Sequence, residues 1–426
     1  VTQNLADHLV AAHFPRRDGA LQVGGLDLAA LAEAHGTPLF VYDAGIMRAR
    51  YRALSRALEG FASVDYSVKA NPRPEIVRVF REEGAGAEIA SGAEFRAALA
   101  AGVPPERILF AGPGKSDGDI EATVAGGIGE IHLENREEMA RVAAAAARAG
   151  RVAPVAIRVN PSAAAQGGAM RMGGKASPFG FDEEALDAAV DAVTAEPRLK
   201  LSGLHLFAGT QGLSAPTLLA QWAHGLELAA RIAARSGRPL ATIDLGGGLG
   251  IPYFAGEEPL DLDALRDGLP PLRERLRADP LLTEARVVLE PGRYLVGEAG
   301  LYVVRVRAVK PSRGSRFVIA DGGMHHHLAA SGNLGQIVKR DFPVAAVVEG
   351  EGAERSPAAL VGPLCTPLDT LARAAPLPEL AAGDLVAVLQ SGAYGLTASP
   401  TGFLGHPLPA EVLVEDGRAV RIGPTA

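Results

Sequence analysis

The chain has 426 residues, of which 48% are hydrophobic and 21% charged, enough apolar material for a large core and too much for global disorder. Its net charge of -7 gives no footprint for nucleic acid or an anionic membrane surface. A single cysteine, Cys365, excludes a disulfide framework and a cysteine-based zinc site within one subunit. No apolar run approaches the ~20 residues that cross a bilayer. The opening VTQNLADHLVAAHFPRRDG carries no positive leader followed by a long apolar core, so the cytosol is the expected location.

In chain order, the segment PLFVYD comes first, and then short apolar runs alternate with helical patterns. Eight strands are predicted: SVDYSV, GAEIA, ILFAG, GEIHL, PVAIRVN, LSGLHLF, ATIDL and ARVVLE. Between them, runs such as PEIVRVFREEG and REEMARVAAAAARAG place apolar residues at helical spacing and stop at glycine. Eight such units predict a (β/α)8 barrel whose strands are buried on both faces. An open doubly wound sheet is the other arrangement the pattern allows. From LYVVRVRAV onward the segments RFVIADG, PVAAVVEG, LVAVLQ and AEVLVEDGRAVRI are β-like and separated by Gly, Pro and Asp turns. The expected organisation is a barrel over 44–287 and a second, mostly β domain over 1–43 and 288–426.

Barrel chemistry gathers at the C-terminal ends of the strands, and unusual residues fall there. Lys69 follows the first strand in DYSVKAN. A lysine in such a place is costly to bury without a partner or a reaction, and desolvation favours Schiff-base chemistry. After the seventh strand, Gly246, Gly247 and Gly248 lack side chains and let backbone amides approach an anion. A tight structural turn explains them equally well. The eighth strand ends in Glu290-Pro-Gly-Arg293. Glu290 suits a protonated pyridine nitrogen and Arg293 a phosphate, although a salt bridge between ordinary surface groups would use the same residues. An amine, a phosphate cradle and a carboxylate together point to pyridoxal 5'-phosphate (PLP). A sugar-phosphate enzyme could use the lysine and glycines but leaves Glu290 unexplained.

With these motifs in order, and with GAEIASGAEF, HLFAGTQ, DLGGGLGIPY, EPGRYLV, IADGGM, GPLCTPLD and GAYG added, the chain resembles the fold-type III PLP decarboxylases. That is the family of diaminopimelate and ornithine decarboxylases. The resemblance covers almost the whole chain. It implies a β domain like that of alanine racemases and decarboxylases, a Schiff base on Lys69 and a pyridine partner in Glu290. It implies phosphate contacts from Gly246, Gly247, Gly248, Thr210, Arg293 and Tyr394. Glu88 stands where the family has an aspartate near the cofactor. Cys365 falls on the catalytic cysteine and Asp369 on the acidic end of its motif. Both would reach a neighbour's site across a homodimer.

Several positions depart from the family. Phe207 stands where a histidine lies over the PLP ring, so it can stack but not donate. His205 matches a nearby histidine expected to support the strand end. Pro178 replaces the lysine of a KFG segment. Cys365-Thr366-Pro367 replaces Cys-Glu-Ser, and Thr366 cannot neutralise a distal ammonium. A free diamino acid therefore fits less well. The pieces VGPLCTPLD and GAYGLTASPTGFLGHP look closer to decarboxylases of carrier-protein-tethered glutamate or of exosortase-associated systems.

The run His325-His326-His327 has no diagnostic metal spacing. Read as an extended strand, it would let 325 and 327 converge but not 326. No metal is expected; His325 and His406 are taken as substrate-side residues. The expected activity is PLP-dependent decarboxylation of an L-α-amino acid, free or tethered to an acyl carrier protein, in specialised biosynthesis. Diaminopimelate decarboxylation is the first alternative. An amino-acid racemase would put arginine rather than Glu290 at the pyridine nitrogen. A noncatalytic PLP-binding regulator would have no need of Lys69, Glu290 and Cys365 together.

Overall fold

The computed structural model describes residues 5–162, 170–171, 176–207, 209–334, 336 and 339–423. The chain divides into two compact units, one of Arg50–Ile251 with Pro259–Tyr294, the other of Val1–Ala49, Pro252–Glu258 and Leu295–Ala426.

The first unit is the expected parallel barrel. Its first strand comes in two halves, Ser63–Val64 and Tyr66–Ser67. The others are Ala87–Ile89, Ile108–Phe110, Glu130–Leu133, Ala153–Asn160, Leu199–Leu206, Thr242–Asp244 and Arg286–Leu289. Each pairs with the next in chain order, all parallel. The first half of the first strand pairs with the eighth strand, and the second half with the second. The sheet thus closes on itself.

Closure turns on Asp65, the residue between the halves. Its amide donates to Leu289 O at 2.9 Å. Its fully buried carboxylate accepts from Gly86 N at 2.8 Å, Arg107 at 3.2 Å and Arg286 at 3.0 Å. These partners sit at the N-terminal ends of the second, third and eighth strands.

The intervening helices start where the sequence offers caps. Ser91, Asn135 and Ser214 each accept a hydrogen bond from the third residue of the helix that follows, and Ser116 with Asp119 forms a full capping box. The helix Arg136–Arg148 is the REEMARV run, and Ala215–Ser236 ends on Gly237 at φ 65°.

The second unit is β-rich. Strand Leu39–Asp43, from the opening segment, lies inside its nine-stranded sheet. It pairs antiparallel with Gly300–Ser312 and parallel with Ala410–Glu415. Leu39, Val41, Leu301, Val303, Val347, Ala387 and Val412 share one buried core.

Asp65→Ala is expected to cost about 1–3 kcal/mol, because it leaves the buried Gly86 amide unpaired. The two guanidiniums are partly exposed and add less. Asp65→Asn keeps an acceptor for the amide and should cost less. Urea unfolding followed by far-UV circular dichroism measures both.

Candidate active site

The C-terminal ends of the barrel strands carry two linked groups of polar side chains. Lys69 lies on the 3-10 turn Val68–Ala70 that follows the first strand. Its Nζ donates to both oxygens of Glu88, at 3.0 and 2.8 Å. Glu88 comes from the second strand and also accepts from Ser67 Oγ at 2.5 Å. The lysine side chain is 42% exposed and the glutamate 1%. The lysine amine is thus held by a carboxylate that is itself buried.

The second group is wholly buried. Glu290 follows the eighth strand, and its Oε2 lies 3.6 Å from His205 Nε2. His205, on the sixth strand, stacks on His132 of the fourth at 4.3 Å. His132 Nε2 lies 3.1 Å from Glu130 and 3.8 Å from Asp244, which ends the seventh strand. Burial, reinforced by His132 and Arg158, pushes His205 well below the usual imidazole range. Beside this group Arg158 pairs with Glu134 at 2.7 Å, and Glu134 also accepts from Gly112 N and Gly180 N.

The glycine turn is dictated by packing. A Cβ on Gly246, Gly247 or Gly248 would meet Leu206 O, Glu290 O or Gly209 O at 2.3–2.4 Å. Gly246 and Gly248 also have positive φ, 73° and 85°. Phe207 follows the sixth strand and lies against Gly246, while Thr210 is in the short strand Gly209–Thr210 beside the turn. Arg293 opens the short helix Arg293–Val296 just after Glu290.

The remaining expected residues belong to the β-rich unit. Cys365 is exposed. Asp369 is buried, and its two oxygens accept from Met324 N at 2.6 Å and Leu364 N at 2.8 Å, pinning the loop that carries Cys365 and Thr366. Gly323 and Gly362 leave room for that carboxylate. Tyr394 has φ 53° in the SGAYG turn.

The histidine run sits in a loop and not in an extended strand. It lies in a turn closed by His326 N and His327 N on Gly323 O, so 325 and 327 do not converge. His326 contacts Tyr302 Oη and Pro407 O, and His327 contacts Ser391 Oγ. His325 meets His406 instead, ring to ring at 4.9 Å.

The sequence pattern did not single out Glu130, His132, Glu134, Arg158 or Asp244 as site residues. His132 and Glu130 sit at alternate positions of the GEIHL strand, a spacing that marks one face. That signal was available but was hidden by the apolar neighbours.

A closed parallel barrel with an amine, buried carboxylates and a glycine turn at its strand ends is an enzyme architecture. Comparison with known proteins defines which one. The family described as pyridoxal-dependent decarboxylase, pyridoxal binding domain, matches residues 45–297. The L-glutamyl-[BtrI acyl-carrier protein] decarboxylase of Niallia circulans is 38% identical over 92% of each chain. The diaminopimelate decarboxylase of Aquifex aeolicus is 33% identical over 94% of this chain and 92% of its own. A crystal structure from Aquifex aeolicus superposes with a TM-score of 0.85 at 31% identity, covering 97% of this chain and 95% of that one. Diaminopimelate decarboxylase from Helicobacter pylori complexed with L-lysine gives 0.82 at 28%, covering 93% and 95%. The chain belongs to the fold-type III PLP-dependent decarboxylases and is a carboxy-lyase. No helix among the described residues is long and apolar enough to cross a membrane.

The three histidines predict an acid limit to stability. Burial pushes His325 down to about 4, and His326 and His327 to about 3. Their folded values lie below the unfolded one of about 6.5. The stability they contribute is complete above that value and is lost as pH falls towards 3. Urea midpoints should fall over this window, and His327→Gln should flatten the slope.

Proposed function

We propose that this chain holds PLP on Lys69 and exchanges the α-carboxylate of an L-α-amino acid for a proton, releasing CO2. The observation that carries the reading is the convergence of Lys69, Glu88, Glu290 and the Gly246–Gly248 turn at the strand ends of one barrel. The residues fit the group. Glu290 Oε1 is buried with no hydrogen-bond partner among the described residues, as an acceptor awaiting a donor would be. In the glycine turn the Gly246 amide is engaged by Asp244, which leaves the backbone of Gly247 and Gly248 for a phosphate.

Bound PLP supplies a conjugated electron sink; the protein supplies orientation and charge. In this reading Glu88 and Ser67 orient the Lys69 amine. Glu290 would supply a negative charge to the ring nitrogen, and Phe207 would offer an aromatic face for stacking. The glycine turn, Thr210, Arg293 and Tyr394 are proposed as phosphate contacts. Cys365 delivers or withholds the proton at the α-carbon, from a loop that Asp369 holds. A racemase would not need a carboxylate at the ring nitrogen.

Two substrates have support. Similarity to diaminopimelate decarboxylases from several species, one solved with L-lysine, favours a free diamino acid. The absence of an acid at Thr366, with the 38% identity to an enzyme named for a carrier-bound glutamyl group, favours a tethered one. In either case His325, His406 and Thr366 are proposed on the substrate side. A homodimer is proposed on the family resemblance, with Cys365 serving the neighbour's barrel.

Borohydride reduction of the PLP-loaded protein followed by peptide mass analysis should mark Lys69, and Lys69→Ala should abolish both mark and activity. Glu290→Gln should lower turnover by at least ~10²-fold. CO2 release from free meso-diaminopimelate, with none from a glutamyl-carrier thioester, selects the first substrate; the reverse result selects the second. Mixing inactive Lys69→Ala and Cys365→Ala chains should restore activity if sites are shared. No restoration from verified mixed dimers rules sharing out.

A further inference from the structure

The buried group behind Glu290 carries more acids than its surroundings can hold as anions. Glu130, Asp244 and Glu290 are 1%, 0% and 4% exposed, and none forms an ion pair with lysine or arginine among the described residues. Among the described residues, the neighbouring Arg158 is already matched by Glu134. His205 and His132 complete the lining, with Glu88 further out. Three buried carboxylates without a countercharge would be prohibitively costly, so the group must retain protons.

Geometry indicates where one proton sits. Donor atoms of His132, His205, Asp244 and Glu290 all lie within 4.8 Å of one another. Asp244 Oδ1 already accepts from Gly246 N at 2.8 Å. Asp244 Oδ2 has no partner among the described residues, and neither has Glu290 Oε1. Two ionised carboxylates can only accept, so such neighbours stay unpaired until one becomes an acid. His132 Nε2 is committed to Glu130, the nearer oxygen at 3.1 Å against 3.8 Å for Asp244. His205 is fully buried with both ring nitrogens unpartnered, a poor place for a cation.

We propose that Asp244 is a protonated carboxylic acid in the working protein and donates its proton to Glu290. This rests on the role given above to Glu290 and deepens it. Burial first, then the charge of Glu290, raises Asp244 well above the usual carboxylate range, in keeping with that state. A hydrogen bond from Asp244 would fix the Glu290 rotamer and leave its other lone pairs for a ring nitrogen. Asp244 is a positioning residue: it acts through Glu290 and the Gly246 amide, tying the pyridine partner to the phosphate turn.

Infrared spectroscopy of the full-length holoprotein at neutral pH tests this directly. A deuterium-sensitive carboxylic acid C=O band should appear, shift on 13C-aspartate labelling, persist in Asp369→Asn and vanish in Asp244→Asn. Asp244→Asn keeps an N–H donor to Glu290 and should retain PLP affinity within about 10-fold, whereas Asp244→Ala should lose more. If the variants fail to fold, the labelled native chain still shows whether the acid is an aspartate, and a band that does not shift there overturns the proposal. Absence of the band, its survival in Asp244→Asn, or loss only in Glu290→Gln would overturn the proposal. So would a stoichiometric divalent metal in the purified protein, since a cation would replace the proton. Failure of borohydride to mark Lys69 would instead count against the cofactor reading, and the infrared result on the cofactor-free protein would still locate the proton.

Discussion

A parallel sheet of eight strands has two open edges until its first strand pairs with its last. Here the first strand pairs on both sides, and Asp65 is where it changes neighbours. One carboxylate accepts from the second strand's leading amide and from two guanidiniums rooted at the third and eighth strands. Without that junction the strand ends would not converge. Lys69, four residues on, would not be delivered over Glu88. The site depends on closure, and closure is made at the opposite end of the strands from the chemistry, the division of labour expected of a barrel.

The pieces of this fold were unevenly legible in the sequence. The eight strands and their helices were readable because near-continuous apolar runs alternate with helical periodicity, and because Ser, Asn and Gly mark helix ends. Lys69, Glu290 and the glycines were readable because each is anomalous at the end of an apolar strand. Asp65 was passed over as part of SVDYSV. Its meaning lies in Gly86, Arg107 and Arg286, distances along the chain that no local pattern encodes. The alternate spacing of Glu130 and His132 is hidden by the apolar residues of their strand. The turn at the histidine run rests on Gly323 and on Asp369, 45 residues from Met324, and such a distant contact leaves no local pattern.

Glu88 shows how one buried carboxylate can organise the rim of the barrel. It reaches from the second strand to the lysine amine with both oxygens while accepting from Ser67. Such a clamp limits the rotamers of a long, partly exposed side chain that would otherwise carry substantial entropy.

The two ends of the barrel differ in charge balance, and the difference separates stability from function. At the N-terminal end one buried carboxylate meets two guanidiniums, a satisfied arrangement that needs nothing further. Further along the strands, Glu130, Asp244 and Glu290 stand beside His132 and His205, and the adjacent Arg158 is already matched by Glu134. Protons can relieve part of that excess, but on the proposed roles a proton on Glu290 itself would remove the charge meant for a cationic ring. A proton on the neighbouring Asp244 would lower the cost of burial and leave that negative charge on Glu290 for a ligand bearing a positive nitrogen.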